Sequence, residues 1–255
     1  MEVRILGASG GATNHLKTTS LLIDGDILVD AGTGVDELTL EEMQRVRHVF
    51  LTHSHLDHVV GIPLICDMVF ERRARPPIVV HAREETLAAL RAHIFNWVMW
   101  PDFGMLPSSE QPLVRYAPMR PGEHREIEGR HLEMIGVNHA VPAVGYRVDC
   151  PTGAFAFSGD TTTNDGFWDA LNRHPELDLL FVESAFADED ADLSRMARHY
   201  TPRLLAQDLG KLRHRPEVYI THLKPGAESA ILDQCRAAIT HLPVRPLCGG
   251  EVFRL

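Results

Sequence analysis

The sequence predicts an α/β fold, two packed mixed sheets with helices on their outer faces. Three observations predict it. Short apolar runs that read as strands are mixed with helical stretches along nearly the whole chain, the pattern of sheets covered by helices. Residue types that ligate metals recur at the C-terminal ends of those runs. The chain has 255 residues, 44% hydrophobic and 24% charged, enough for a full core in one or two ordinary domains or one large sandwich.

The elements follow in order. Val3–Leu6, Ser20–Ile23 and Ile27–Val29 read as strands, the last two joined by Asp24-Gly25, residues suited to a tight hairpin turn. Val49–Leu51 comes next, then a polar loop and a helix from about Asp57 to Arg73. Strand Ile78–His81 precedes a helical stretch from Glu84 to Phe95. Pro101 to Pro121 is proline-rich and reads as a long irregular region, a type of segment that often forms lids and binding loops. The second half has paired strands at Leu132–Val137, Val144–Val148 and Phe155–Phe157. Helix Gly166–Arg173, strand Leu177–Val182, helix Pro202–Arg213, strand Val218–Ile220, helix Glu228–Leu242 and a last strand near Glu251–Phe253 complete it. The organisation reads as two similar halves, without solenoid repeats or low-complexity segments.

Composition narrows the function. The net charge of −10 disfavours a broad basic face, so extended nucleic acid is not an expected partner. Cys66, Cys150, Cys235 and Cys248 show no CxxC spacing and read as core thiols of a reducing compartment. No signal-peptide pattern and no membrane-length apolar run is seen, and the expected location is the cytoplasm.

The densest chemical signal is His53-Ser54-His55-Leu56-Asp57-His58, directly after the apolar run ending at Leu51. Three imidazoles and a carboxylate within six residues are ligand types for Zn²⁺ or a similar borderline metal. His53 and His55, two apart in an extended segment, project to one side, whereas Asp57 and His58 lie on the turn into the next helix. One loop can thus feed two metals. His139, Asp160 and His222 each follow an apolar run: Leu132 to Val137, Phe155 to Phe157 and Val218 to Ile220. Singly, each reads as a half-buried histidine or a turn aspartate; together with the loop they make two metal shells.

These residues resemble the metallo-β-lactamase superfamily, from Gly7 to the C-terminus. The resemblance implies one αββα domain over residues 1–255. It also implies a first metal on His53, His55 and His139, a second on Asp57, His58 and His222, and Asp160 bridging them. Two divalent ions per chain are expected, Zn²⁺ first, with Mn²⁺ or Fe²⁺ as alternatives. The implied chemistry is attack by a metal-activated hydroxide, which Asp57 helps to orient.

Four further segments resemble class II 3′,5′-cyclic-nucleotide phosphodiesterases: the run His58 to Leu64, the Phe95-Asn96-x-x-x-Trp100-Pro101 segment, Val182 to Phe186 with Arg198 to Pro202, and His222-Leu223-Lys224-Pro225. The signature usually continues into small residues, where this chain has Cys66 and Asp67. The implied substrate is a small phosphodiester, cAMP or cGMP, in a protein that can form a homodimer. Lys224, two residues beyond His222, is expected to meet a phosphate oxygen if the strand stays extended there. His199, just before Thr201-Pro202, is expected either to open a helix or to contact phosphate or supply a proton. Glu183 is expected to fix a ligand imidazole. Asn96, Trp100 and Asp102 are expected at a base or a dimer contact, Phe95 and Trp97 in packing or such a contact; Asn14 and His15 have no assigned role. An RNase Z-like endonuclease is the alternative within the superfamily, although its His-Glu-Ala-Thr signature maps onto Val182-Glu183-Ser184-Ala185 with Val182 in place of histidine. Lactone or thioester hydrolysis, or a metal-binding regulatory role without turnover, are the readings without phosphate.

Overall fold

Ile27–Val29 is buried on both faces, so its continuous apolar run suits an interior strand rather than an amphipathic one. Around it, the computed structural model, which describes residues 1–70 and 76–255, builds a seven-stranded sheet. Its order is Val252–Arg254, Glu2–Gly7, Ser20–Ile23, Ile27–Val29, His48–Phe50, Ile78–Ala82 and Val114–Pro118. The second seven-stranded sheet runs Val244–Pro246, Glu217–Thr221, Leu179–Glu183, Gly153–Phe157, Val144–Cys150, Arg130–Gly136 and His124–Ile127. Each sheet has three antiparallel and three parallel pairings. The two similar halves read from the sequence are these two sheets, with the last strand returning to pair beside the first.

Hydrophobic burial forms three layers of core. Between the sheets lie Ile5, Val29, Phe50, Tyr146, Phe155 and Phe181. Helices Gly61–Phe70 and Glu84–His93 cover the first sheet, and Gly166–Leu171, Pro202–Leu209 and Glu228–Ala238 cover the second. This is the αββα sandwich that the sequence predicts.

Several elements differ from expectation. The helix expected from Asp57 to Arg73 is divided into Leu56–Val59 and Gly61–Phe70, and its end at Glu71–Arg73 lies outside the described residues. A Cβ on Gly61 would stand 2.4 Å from Val35 Cγ2 and 2.8 Å from Gly32 O, so only glycine lets the chain pass there. The Pro101–Pro121 region is not wholly irregular: Val114–Pro118 forms the edge strand, parallel to Ile78–Ala82. Helix Leu40–Arg45 escaped the hydrophobic reading because none of its residues is buried, yet Thr39 and Glu42 form a reciprocal capping box that the Thr-x-x-Glu spacing signals. Helix Ala191–Ala197 and strands His124–Ile127 and Val244–Pro246 were too short or too polar to stand out. Of the cysteines, Cys66 and Cys235 are core residues, but Cys150 is half-buried and Cys248 exposed, so the core-thiol expectation fails for those two. Among the described residues no helix is long and apolar enough to cross a membrane.

Phe181 ties the two sheets. It is fully buried and its ring packs 5.5 Å from Phe155 and 5.1 Å from Phe253, the latter on the first sheet. Phe181→Ala is expected to destabilise the fold by about 3–5 kcal/mol through lost burial and a cavity. Urea unfolding checks this, and a midpoint unchanged from wild type would refute the assignment of Phe181 as the inter-sheet tie.

Candidate metal centre

The chemistry gathers at the C-terminal ends of strands, where loops leave the sheets and can meet over the seam. His48–Phe50 leads into His53–His58, Arg130–Gly136 into His139, Gly153–Phe157 into Asp160, and Glu217–Thr221 into His222. His53, His55, His139 and Asp160 each present a ligand atom, and these atoms lie within 4.8 Å of one another. Asp57, His58 and His222 form a second such group. Asp160 joins them: its Oδ2 is 3.3 Å from His58 Nε2, 3.3 Å from His222 Nε2 and 3.7 Å from His53 Nε2. The seven residues singled out in the sequence are therefore brought together, in the two groups expected.

The tautomers suit metal binding. Thr52 Oγ1 donates to Asp30 Oδ2 at 2.8 Å, so it accepts from His53 Nδ1 at 2.9 Å. His58 Nδ1 donates to Asp30 Oδ2 at 2.7 Å, and His139 Nδ1 to the Arg198 carbonyl at 3.0 Å. With Nδ1 carrying the proton in all three, each Nε2 offers a lone pair to the centre. His53 Nε2 and His58 Nε2 are buried with no hydrogen-bond partner among the described residues. Orphaned imidazole nitrogens beside a buried carboxylate are what a divalent cation would satisfy, so the residues present fit such an ion.

Charge states agree for three of the rings but not for His58: burial lowers it, but the carboxylates of Asp160 and Asp30 outweigh this and raise it well above the usual imidazole range. Burial holds His139 down to about 4 and His222 to about 3, and it pushes His53 well below the usual imidazole range, so these rings are neutral donors. Burial alone would raise Asp160, but the imidazoles of His222 and His58 outweigh it and keep the carboxylate ionised.

Asp30 is the functional residue that the sequence reading missed. It is fully buried at the end of Ile27–Val29, with φ 55°, and accepts from Thr52 N at 2.8 Å as well as from Thr52 Oγ1 and His58. The rule that found the others, a ligand type at the end of an apolar run, applies to it equally. Its carboxylate orients two imidazoles instead of pointing at the metal position.

His199 lies against the centre: with Asp160 and His222 it forms a third potential ligand group, and its ring stacks on His222 at 5.2 Å. Its Nδ1 donates to Glu183 Oε1 at 2.8 Å. Burial lowers its basicity, yet the Glu183 carboxylate and its hydrogen bond, with Asp160, outweigh this, and His199 is raised. Glu183 thus fixes an imidazole, as expected, but that of His199; it also accepts from the backbone of Thr161, Ala185 and Tyr200.

Other expectations are corrected. Lys224 was placed by assuming an extended strand, but the strand ends at Thr221 and His222 takes φ 60°, so the chain turns. Lys224 Nζ instead donates to Gly10 O at 2.7 Å and lies 5.7 Å from the Phe186 ring centre. Asn96 Oδ1 accepts from Val98 N and Met99 N, and Asp102 Oδ1 from Gly104 N, so both side chains shape their own turns. Phe95 and Phe103 are buried in the first-sheet core, with Trp100 packed partly against it, whereas Trp97 is 62% exposed. Asn14 and His15 are exposed and bond each other.

Asp30→Ala is expected to lower metal affinity about 10–100-fold, the scale for losing a carboxylate that orients ligands. Chelator competition measures it; an unchanged affinity would show that His58 and Thr52 hold their geometry unaided.

Comparison with known proteins agrees with this fold. The family described as "Beta-lactamase superfamily domain" matches residues 26–241. The chain is 23% identical to a ribonuclease Z of Kineococcus radiotolerans, over 94% of this chain and 90% of that protein. It is 27% identical to a probable 3′,5′-cyclic-nucleotide phosphodiesterase of Yersinia pestis, over 71% of this chain and 58% of that protein. The structure of unliganded yeast PDE1 shares the fold with a TM-score of 0.84, 16% identity and coverage of 100% of this chain and 99% of that one. Matched over most of its length and built as two helix-covered sheets, the chain belongs to the β-lactamase superfamily, with the metallo-β-lactamase fold.

Proposed function

We propose that this metal-dependent hydrolase opens 3′,5′-cyclic nucleotides to 5′-monophosphates. The observation that carries the reading is the buried His199–Glu183 pair standing against the two ligand groups. It adds to the ligands a protonated imidazole held in one orientation, which the cleavage of an unactivated ester needs. His53, His55 and His139 would hold one ion, Asp57, His58 and His222 the other, with Asp160 between. Two Zn²⁺ ions, or Mn²⁺ or Fe²⁺, would supply Lewis acidity and lower the pKa of a water to near neutrality.

The chain's own groups do the rest. The half-exposed Asp57 would accept a hydrogen bond from the attacking water. His199 donates a proton to the departing 3′-oxygen, with Glu183 keeping its Nδ1–H in place. Lys224, tethered to Gly10, adds positive potential near His199 without a direct role in proton transfer. The net charge of −10 favours a small substrate over an extended polyanion. The likeness to the Yersinia pestis phosphodiesterase supports the cyclic-nucleotide class. A tRNA 3′-processing endonuclease is the second reading, favoured by the longer match to the Kineococcus ribonuclease Z.

A panel of cAMP, cGMP, 2′,3′-cyclic nucleotides and a precursor tRNA, each with and without chelator, tests the substrate. Chelator-sensitive turnover of a 3′,5′-cyclic nucleotide is expected; cleavage of the tRNA alone would establish the second reading. Asp160→Ala is expected to lose both ions and turnover, and retention of two ions by metal analysis would refute a bridging role. His199→Ala should keep its metal content yet lose about 10²–10⁴-fold in kcat on cyclic nucleotides. On bis-p-nitrophenyl phosphate the loss should be much smaller, because that leaving group needs no proton. Lys224→Ala should lose less than His199→Ala, and equal losses on both substrates in His199→Ala would sink the proton-donor role.

A further inference from the structure

Arg198 ends helix Ala191–Ala197 in a left-handed conformation, φ 56° and ψ 56°. Glycine usually takes such a position, because a Cβ there crowds the following carbonyl. Arginine has no short polar group to ease the turn, so the conformation is locally unfavourable for it. The turn is nevertheless firmly held. The backbone N–H groups of Arg198 and His199 both donate to Ser194 O, and Ser194 Oγ donates to His199 O at 2.7 Å.

The side chain gives the residue a use that the backbone does not explain. Arg198 Nη1 donates to His139 O at 3.0 Å, and Arg198 O accepts from His139 Nδ1 at 3.0 Å. Two bonds of opposite sense thus tie Arg198 to a ligand residue of the metal centre, and one of them fixes the guanidinium there. Its acceptor is a neutral carbonyl, so its charge is not cancelled, unlike that of Arg195, which is paired with Asp192 at 2.9 Å. Arg198 is exposed, and the bond to His139 uses only part of its donor set. His199, the next residue, has its ring 4.9 Å from that of His139, so both side chains of the turn stand against the same ligand.

We propose that Arg198 is a catalytic residue that holds a non-bridging phosphate oxygen of the substrate at the rim of the metal centre. The inference rests on the reading of the substrate as a phosphodiester, but not on which phosphodiester it is. A guanidinium presents planar, parallel N–H donors that match phosphate oxygens in a way a point charge cannot. Held in advance by His139 O, it needs no rearrangement as charge grows on the phosphate in the transition state. The net charge of −10 repels an anionic substrate, and an uncancelled cation beside the ligands offsets this locally. The role is the one that the extended-strand reading gave to Lys224, which the turn at His222 carries to Gly10 O.

The test compares Arg198→Gly and Arg198→Lys with wild type, each as the metal-loaded full chain. Glycine suits the left-handed turn and keeps the carbonyl that holds His139. Arg198→Gly should therefore retain the wild-type metal content and unfold at or above the wild-type temperature. Calorimetry should show inorganic phosphate binding to wild type, and binding weaker by about tenfold or more in Arg198→Gly. On bis-p-nitrophenyl phosphate, kcat/KM should fall about 10²–10³-fold in Arg198→Gly. Arg198→Lys, which keeps the charge without the planar donors, should lie between the two. Equal phosphate binding in wild type and Arg198→Gly would overturn the proposal, as would phosphate that does not bind wild type. Loss of metal from Arg198→Gly would reduce Arg198 to a support for His139 and overturn it as well. Cyclic-nucleotide turnover is read separately: its absence in wild type, with phosphate binding still weakened in Arg198→Gly, would overturn the cyclic-nucleotide reading and uphold the role of Arg198.

Discussion

Asp160 is 2% exposed, and one of its oxygens lies within 3.7 Å of three imidazole nitrogens. Burying that many polar groups at one point is costly unless each is held in a fixed tautomer and shielded from wrong partners. Much of the surrounding structure answers to this constraint. Asp30 and Thr52 fix His58 and His53, the Arg198 carbonyl fixes His139, and Glu183 fixes His199. The orienting groups come from both sheets, so the centre and the sandwich depend on each other: separating the sheets would leave the ligands without their orienting partners.

The same constraint explains where the backbone is strained. Asp30 and His222 both adopt a left-handed conformation, φ 55° and 60°, directly after a strand. Such values are uncommon outside glycine, although Asp and His tolerate them better than bulky or branched residues. Both turns swing a side chain from the strand end back over the seam. The turn at His222 also carries Lys224 away from the extended path and against the Gly10 carbonyl. The left-handed turn at His222 thus decides the position of Lys224.

How much was legible in the sequence depended on the range of the signal. His53, His55, Asp57 and His58 sit within six residues, and His139, Asp160 and His222 end apolar runs, so local pattern alone exposed them. The buried strands showed for the same reason. Asp30 obeyed the same rule, but its neighbours Asp24 and Asp26 lie at the other end of the strand and no histidine stands near it to mark it. Helix Leu40–Arg45 buries none of its residues and so has no apolar stripe to read, only its capping box. The edge strand Val114–Pro118 is specified by its pairing with Ile78–Ala82 rather than by its own composition.

The sequence by itself determined the class of fold, the identity of the ligand types and their attachment to strand ends, because periodicity and residue chemistry are local properties. Only the tertiary structure decided which nitrogen of each histidine faces the centre, that Glu183 serves His199, and that Lys224 is tethered to Gly10. Those outcomes rest on hydrogen bonds between residues far apart in the chain, such as Asp30 with His58 and Lys224 with Gly10, and on two left-handed turns whose cost is met by packing. No local pattern encodes a contact made 214 residues away.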